Sequence, residues 1–237
     1  MTSSSHLDRP RRRVQLAIRR AMDLLVSLAA LLLLSPLMLL VAIAVKLDSR
    51  GPVFFRQDRI GLHGRIFRIF KFRTMAPNDG RLIVMRQDDD RITRLGQFLR
   101  KYRLDEIPQF INVFKGEMSL VGPRPLVPDH ADRWSDEARK RLWMPPGITG
   151  WQQINGGETL NWDQRVALEV WYVEHWSLWL DLKIILRTPA VVFKSATAVD
   201  EQGFKRSAIP PDSGGAADGN EAATPDRRPT SEGTPQG

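Results

Sequence analysis

Two adjacent carboxylates, Asp105 and Glu106, stand shortly before Pro108 in the segment RLDEIPQFINVFKGEMSLVGPRP, residues 103–125. We expect a helix to begin here, with Asp105 as its N-cap and Lys115-Gly116 as its stop signal. The free N–H groups of a helix start keep a carboxylate ionised, so that it can be a nucleophile or a magnesium ligand. From chemistry alone, a capping role for Asp105 is at least as well supported as a catalytic one.

Three cations are candidates for binding phosphate. Arg124 lies between Pro123 and Pro125, which stiffen the backbone that presents its planar guanidinium. Across the segment IFKFRT, strand alternation places Lys71 and Arg73 on one face. Two neighbouring cations repel each other unless an anion lies over them, although an exposed edge strand kept soluble by charge explains the pattern equally well.

These residues need elements that position them. Residues 52–75 have the composition of strands, with Gly61 and Gly64 bracketing a turn, and this predicts a β-hairpin. Apolar residues recur at helical spacing from Ile92 to Tyr102. The segment between the hairpin and this helix reads as a loop, and its acidic run at 88–90 is more typical of a solvated turn than of a metal site.

Composition limits the chemistry further. The chain has 237 residues, no cysteine and a net charge of +8, so disulfides, thiol chemistry and cysteine-based zinc sites are excluded. From Ser207 onward, five acids against two arginines give −3, which leaves +11 on residues 1–206. A charge of that size indicates anionic partners: nucleic acid, lipid headgroups or phosphorylated substrates. Residues 207–237 carry a single branched aliphatic side chain and no aromatic one, and we expect them to be disordered.

One segment predicts a membrane association. Residues 21–45 are apolar apart from Asp23, and as a helix they would reach roughly 37 Å against a hydrocarbon core of about 30 Å. Their length exceeds the usual apolar region of a signal peptide. Pro36 leaves the carbonyl of Leu32 without a partner, and Ser35 can donate to it, so we expect a kink. Positive charge on both flanks favours a helix that enters and leaves by the cytoplasmic face, with a kinked spanning helix as the alternative.

Three blocks then carry a resemblance to a known family: KFRTM (71–75), LDEIPQFINVFKGEMSLVGPRP (104–125) and PGITGWQQINGG (146–157). They resemble the bacterial sugar transferase family, the monotopic phosphoglycosyl transferases, and the resemblance runs from about residue 14 to residue 204. It implies an α+β, mostly helical, monotopic membrane protein with a kinked re-entrant helix, a small β-hairpin and interfacial amphipathic helices.

The same resemblance implies an organisation in four parts, in the bacterial inner (cytoplasmic) membrane with the catalytic domain on the cytoplasmic face. The parts are a basic N-terminal segment (1–20), the re-entrant membrane helix broken at Ser35 and Pro36 (21–45), the catalytic domain (46–206) and the disordered tail (207–237).

As for activity, the resemblance implies that Asp105 attacks the β-phosphate of a UDP-sugar and expels UMP. Polyprenyl (undecaprenyl) phosphate would then take the phosphosugar from Asp105. Glu106 completes the dyad, and Asp105 and Glu106 would hold Mg²⁺, which offsets the repulsion between a carboxylate and a diphosphate. Lys71, Arg73 and Arg124 are expected to bind the substrate phosphates.

Two questions stay open in the sequence. The aromatic residues of the C-terminal region, Trp171, Tyr172, Trp176 and Trp179, suit an interfacial amphipathic helix and internal packing equally well.

The expected partners are a UDP-sugar, polyprenyl phosphate and membrane lipid, without nucleic acid. The alternative is a non-enzymatic, membrane-anchored basic protein that binds acidic lipid or nucleic acid, which explains the charge but not the adjacent carboxylates.

Overall fold

A helix of 39 residues, α1 (Pro10–Asp48), begins the computed structural model, which describes residues 10–76, 91–128, 131 and 134–202. Within those residues α1 is the one helix long and apolar enough to cross a membrane, and only 11% of its most apolar window is buried in the fold. Its exposed leucines, Leu32, Leu33, Leu39 and Leu40 among them, would be costly in water. The fold is therefore compatible with a monotopic membrane protein.

The predicted β-hairpin is confirmed. Strands β1 (Phe54–Ile60) and β2 (Ile66–Phe72) pair antiparallel, and a 3₁₀ turn, Leu62–Gly64, connects them. Phe72 packs on Val41 and Val45 of α1, so the hairpin is fixed directly to the apolar helix.

The next elements lead to the catalytic candidates. They are α2 (Arg94–Lys101), α3 (Gln109–Lys115) and the short strand β3 (Ser119–Val121). The helix predicted at 92–102 is confirmed as α2, which begins where the hydroxyl of Thr93 accepts a hydrogen bond from the Gly96 N–H. The predicted stop of α3 is also confirmed, because Gly116 caps it with a φ of 84°, a conformation that glycine adopts without strain.

The C-terminal half consists of helices and one short strand, which pairs parallel with β3. Its elements are α4 (Asp136–Arg139), β4 (Gly147–Thr149), α5 (Trp151–Ile154), α6 (Trp162–Glu174) and α7 (Leu178–Gln202). Strand β4 pairs parallel with β3, and α6 begins with a capping box between Asn161 and Gln164. Among the described residues, the largest apolar cluster lies beside this pair of strands and includes Val121, Met144 and Ile184.

The aromatic residues of α6 and α7 divide between the two roles that the sequence left open. Tyr172 and Trp176 are buried, and both donate hydrogen bonds to the carboxylate of Asp181, at 2.6 and 2.9 Å. Trp171 and Trp179 are exposed, the latter by 71%. Internal packing therefore accounts for two of the four, and only the other two can contact a membrane interface.

The N-terminal part of α1 belongs to the folded domain. Arg19 forms a buried ion pair with Asp181 (3.4 Å), and Asp23 accepts a hydrogen bond from the Leu120 N–H (3.0 Å). Arg20 donates to the carbonyls of Val113 and Phe114 at the end of α3. The helix α1 runs without interruption through residue 21, and the division of the chain into a basic segment and a membrane helix stays a prediction. Arg19 and Arg20 are not simple flanking charges for lipid headgroups.

Pro36 lies inside α1, which continues as one helix on both sides of it. The hydroxyl of Ser35 donates to the carbonyl of Leu32 at 2.8 Å, the bond expected from the sequence. A re-entrant course for α1 stays a prediction. The acidic run at 88–90 and the tail 207–237 lie outside the described residues.

Candidate active site

The two carboxylates lie in a 3₁₀ turn of their own, Leu104–Glu106, preceded by Arg103 in the left-handed region (φ 57°). The turn closes where the Ile107 N–H donates to the Leu104 carbonyl at 3.3 Å, before α3 begins. The prediction that Asp105 is the N-cap was therefore wrong. Pro108 occupies that position, without a side-chain hydrogen bond, so the turn holds Asp105 without using its side chain as a cap.

Asp105 is buried, with 7% of its surface exposed. Among the described residues, its Oδ1 atom has no hydrogen-bond partner. Burial, and then the neighbouring charge of Glu106, raise the pKa of Asp105 to about 6. A buried carboxyl oxygen without a partner is costly, and such a group is a candidate for chemistry rather than for support.

Glu106 is surrounded by cations. Its Oε1 lies 2.7 Å from Lys71 Nζ, 3.8 Å from Arg103 Nη1 and 3.9 Å from Arg124 Nη2. Burial alone would raise the pKa of Glu106, but the charges of Lys71, Arg124 and Arg103 outweigh it and hold that pKa well below its usual range. Two adjacent carboxyls thus have pKa values moved in opposite directions, a perturbation that is typical of functional sites.

Lys71 comes from strand β2, whose position relative to α3 is set by Asn112. This fully buried side chain accepts a hydrogen bond from the Phe70 N–H (3.0 Å) and donates to the Arg68 carbonyl (2.8 Å) and to Glu117 (2.7 Å). Sequence analysis missed Asn112, because an asparagine among apolar helical residues gives no signal of its distant partners.

Arg73 lies elsewhere. Its guanidinium donates to the carbonyls of Val45 (3.2 Å) and Ser49 (2.6 Å) and to the Ser49 hydroxyl (2.9 Å), at the end of α1. Strand β2 ends at Phe72, so alternation no longer dictates where Arg73 points. The structure does not bring Arg73 to Glu106 with Lys71 and Arg124, and its phosphate-binding role stays a prediction.

Arg124 follows the paired strands β3 and β4. Gly122 donates to the Thr149 carbonyl (2.8 Å), and Gly147 donates to the Pro123 carbonyl (2.9 Å). A Cβ atom on Gly147 would lie 2.1 Å from the Gly122 nitrogen, so only glycine permits this approach. The close packing brings the Pro-Arg-Pro segment to the edge of the cleft.

Two buried residues that sequence analysis missed hold the backbone of Arg124. Glu169 of α6 accepts a hydrogen bond from the Arg124 N–H (2.9 Å), and Arg141 donates to the Arg124 carbonyl (2.8 Å). Arg141 and Glu169 also form an ion pair with each other. Their separation along the chain left no pattern from which this arrangement could be read.

An open cleft adjoins this cluster. Its lining includes Arg59, Lys71, Glu106, Gln109, Arg124 and Ile148. Three cations at one cleft suit a ligand with several phosphate oxygens. The part of the chain that the structure describes contains no group of three or more His, Cys, Asp or Glu side chains suited to a metal. Asp105 and Glu106 can supply the one or two carboxylates with which Mg²⁺ is usually bound beside substrate phosphates, and the unpartnered Oδ1 of Asp105 fits that use.

Comparison with known proteins identifies the family. The family described as "Bacterial sugar transferase" matches residues 14–195. The chain is 42% identical over 178 residues to "Uncharacterized sugar transferase EpsL" of Bacillus subtilis (strain 168), a match that covers 75% of this chain and 88% of that protein. It is 48% identical over 186 residues to "Undecaprenyl-phosphate glucose phosphotransferase" of Komagataeibacter xylinus, covering 72% and 35% of the two chains. It is 43% identical over 197 residues to "UDP-glucose:undecaprenyl-phosphate glucose-1-phosphate transferase" of Escherichia coli (strain K12), covering 79% and 42%.

The chain thus spans most of the Bacillus protein but less than half of the length of the other two. The family match covers more than two thirds of the chain, including the hairpin, the dyad and the Pro-Arg-Pro segment. The chain belongs to the bacterial sugar transferase family.

Proposed function

We propose that this chain is a phosphoglycosyl transferase that moves a sugar-1-phosphate from a UDP-sugar to undecaprenyl phosphate. The relatives from Komagataeibacter and Escherichia coli are named for that class of reaction. The observation that carries the proposal is the dyad. Asp105 is buried with one unpartnered oxygen, and the negative charge of the adjacent Glu106 is offset by Lys71, Arg103 and Arg124. A basic lipid-binding protein would have no use for this arrangement.

In the proposed first step, an oxygen of ionised Asp105 attacks the β-phosphorus of the UDP-sugar. The bond from that phosphorus to the oxygen bridging the two phosphates breaks, and UMP leaves with the electron pair. In the second step, a phosphate oxygen of undecaprenyl phosphate attacks the same phosphorus. The acyl phosphate bond breaks and returns the carboxylate of Asp105, so atoms and charge balance over the cycle.

Charge supports this assignment of roles. Asp105 can lose its proton near neutral pH because its pKa is about 6, and the shared environment of Lys71 and Arg103 limits the cost of its charge. Lys71 and Arg124 border the cleft, where they would bind the phosphate oxygens as charge accumulates on them. Glu106 holds Lys71, Arg103 and Arg124 together before the substrate binds, so these cations need little reorganisation during the reaction.

Magnesium forms part of the proposal. Asp105 and Glu106 would hold it together with the substrate's phosphate oxygens. When bound, it would offset the repulsion between the carboxylate and the diphosphate and stabilise the leaving oxygen. Because Glu106 Oε1 is already 2.7 Å from Lys71, Asp105 has the carboxylate oxygen more readily available for a metal.

We further propose that α1 enters and leaves the bilayer on the cytoplasmic side of the bacterial inner membrane. Support comes from its exposed apolar surface and from the Ser35 hydrogen bond that compensates the Leu32 carbonyl at Pro36. The anchoring of Arg19 and Arg20 in the protein reduces the number of cations that can interact with headgroups at the N-terminal flank. Thiol labelling of the two flanks of α1 from each side of the membrane tests this topology.

The test of the reaction uses the detergent-purified protein and a panel of UDP-sugars. With a UDP-sugar and no polyprenyl phosphate, we expect a phosphosugar adduct on the intact protein by mass spectrometry, and peptide mapping should place it on Asp105. Addition of undecaprenyl phosphate should discharge the adduct, and UMP release should equal product formed. An adduct mapped to another residue, or turnover without UMP, would contradict the proposal.

A further inference from the structure

A buried ion pair encloses the backbone of one residue of the candidate site. The Arg141 and Glu169 side chains are only 3% and 4% exposed and contact each other. Each also bonds to Arg124: Glu169 Oε1 accepts from its N–H at 2.9 Å, and Arg141 Nη2 donates to its carbonyl at 2.8 Å. We call these two side chains the Arg141–Glu169 clamp.

The sequence around Arg124 makes this arrangement specific. In Pro123-Arg124-Pro125 only the arginine carries a backbone N–H, because proline has none. That single donor goes to Glu169. The Pro123 carbonyl accepts from the Gly147 N–H (2.9 Å) and the Pro125 carbonyl accepts from Arg59 (3.1 Å), so the polar backbone groups of the segment are all bonded. The clamp supplies both bonds of the central residue.

Stability alone is a weak reason for such a pair. Burial of two charges is expensive, and well-packed apolar side chains often serve a fold equally well. Burial raises the pKa of Glu169 and lowers that of Arg141, as expected for charges kept from water. Because both members of the pair are bonded to Arg124, the pair fixes the orientation of the Arg124 backbone.

We propose that Arg141 and Glu169 are positioning residues that fix the backbone of Arg124, so that its guanidinium is held beside Glu106 and the cleft. The inference rests on the proposed function, in which Arg124 binds substrate phosphate. The Arg124 side chain is 36% exposed, and its Nη2 lies 3.9 Å from Glu106, so little besides its backbone holds it in place. A fixed backbone lowers the entropy lost when the guanidinium engages a phosphate.

The test is a double-mutant cycle on the rate of UMP release at subsaturating UDP-sugar. Arg124→Ala removes the guanidinium but keeps the backbone N–H and carbonyl, so the clamp still has its partners. Glu169→Ala removes the acceptor and keeps Arg124. We expect each single variant to lower kcat/KM about tenfold to hundredfold, the scale on which misplaced groups act. The double variant should be no slower than Arg124→Ala alone, within about threefold.

Loss of folded protein cannot imitate this result, because it lowers the rate by the same factor in either background. Asp181→Asn supplies the matched control. Asp181 pairs with Arg19 and accepts hydrogen bonds from Tyr172 and Trp176, and none of these bonds goes to Arg124, Arg141 or Glu169. Its effect should multiply with that of Arg124→Ala. Glu169→Gln, which keeps an oxygen acceptor for the Arg124 N–H, should recover most of the activity lost in Glu169→Ala.

The outcomes separate the two levels of the argument. If Arg124→Ala lowers kcat/KM and Glu169→Ala lowers it further by its full factor, the positioning role is overturned while the function of Arg124 stands. If Arg124→Ala leaves kcat/KM unchanged, the phosphate-binding role fails and the clamp has nothing to position. Should Glu169→Ala not fold, the same cycle with Arg141→Lys decides. This variant keeps a buried cation for Glu169 but loses the planar fork that also reaches the Arg124 carbonyl, and an effect that multiplies with that of Arg124→Ala would overturn the positioning role.

Discussion

Replacement of Asp105 by asparagine should separate the catalytic role of this side chain from its structural role. Burial and Glu106 raise the pKa of Asp105 from 3.8 to about 6, so the ionised carboxylate costs folding free energy. A shift of about two units corresponds to ~3 kcal/mol at 1.36 kcal/mol per unit. Because Asp105 is only 7% exposed, solvent screening reduces this figure little.

The sign follows from linkage. For a carboxyl whose folded-state pKa is raised, stability is greatest below the unfolded pKa, falls as pH rises from about 3.8 to about 6, and is constant above that. At pH 8 the neutral asparagine avoids the whole penalty. We therefore expect Asp105→Asn to be as stable as wild type or more stable, by up to ~3 kcal/mol. Turnover should nevertheless fall by orders of magnitude, because an amide is a very poor nucleophile.

Tryptophan fluorescence during thermal unfolding measures the stability, and UMP release measures the turnover. Asp58→Asn is the control, since Asp58 lies on the hairpin surface 3.2 Å from Arg68 with its side chain half exposed, and neither measurement should change. A folded Asp105→Asn protein with near-normal turnover would refute the nucleophile. A large loss of stability in Asp105→Asn would instead refute our interpretation of its burial.

Two other predictions concern pH and topology. UMP release in the absence of polyprenyl phosphate should rise with pH through an apparent pKa near 6 and then level off, because only ionised Asp105 attacks; a profile that is flat from pH 5 to 8 would contradict this. The chain has no cysteine, so Arg12→Cys and Arg56→Cys each introduce a single thiol, and both should react with a membrane-impermeant reagent only from the cytoplasmic side. Pro36→Leu removes a proline that costs about 3 kcal/mol or more in a helix interior, and it should move one of the two thiols across the membrane. Labelling of either thiol from the outside in the unaltered helix would mean that α1 spans.

The sequence predicted local structure well. Strand-like composition and the glycines Gly61 and Gly64 predicted the hairpin, helical spacing predicted α2, and Gly116 was identified as the end of α3. The exception was the start of α3, because the proline and acids that favour a first turn also suit the separate turn that Leu104–Glu106 forms. Periodicity cannot distinguish these two cases.

For the site, the sequence identified the chemical groups but not what holds them. The structure brings Glu106 together with Lys71 and Arg124, two of the three cations that the sequence proposed for phosphate binding, and that role stays a prediction. Arg73 was predicted to share a face with Lys71 because the alternation was extended one residue past the end of β2, which is Phe72. Arg141 and Glu169, which lie 17 and 45 residues after Arg124, were missed because a contact between distant elements leaves no local pattern.

The bonds that Arg73 makes at the end of α1 have a consequence for the lipid substrate. Arg73 follows Lys71 by two residues, and its guanidinium joins β2 to Val45 and Ser49. At the other end of the helix, Arg19 bonds to α7, Arg20 to the end of α3 and Asp23 to β3. With α1 embedded as proposed, the catalytic groups are held at one fixed height above the hydrocarbon. The acceptor must then be recognised by how far its phosphate stands out of the bilayer, and the length of its chain beyond the first few isoprene units should matter little.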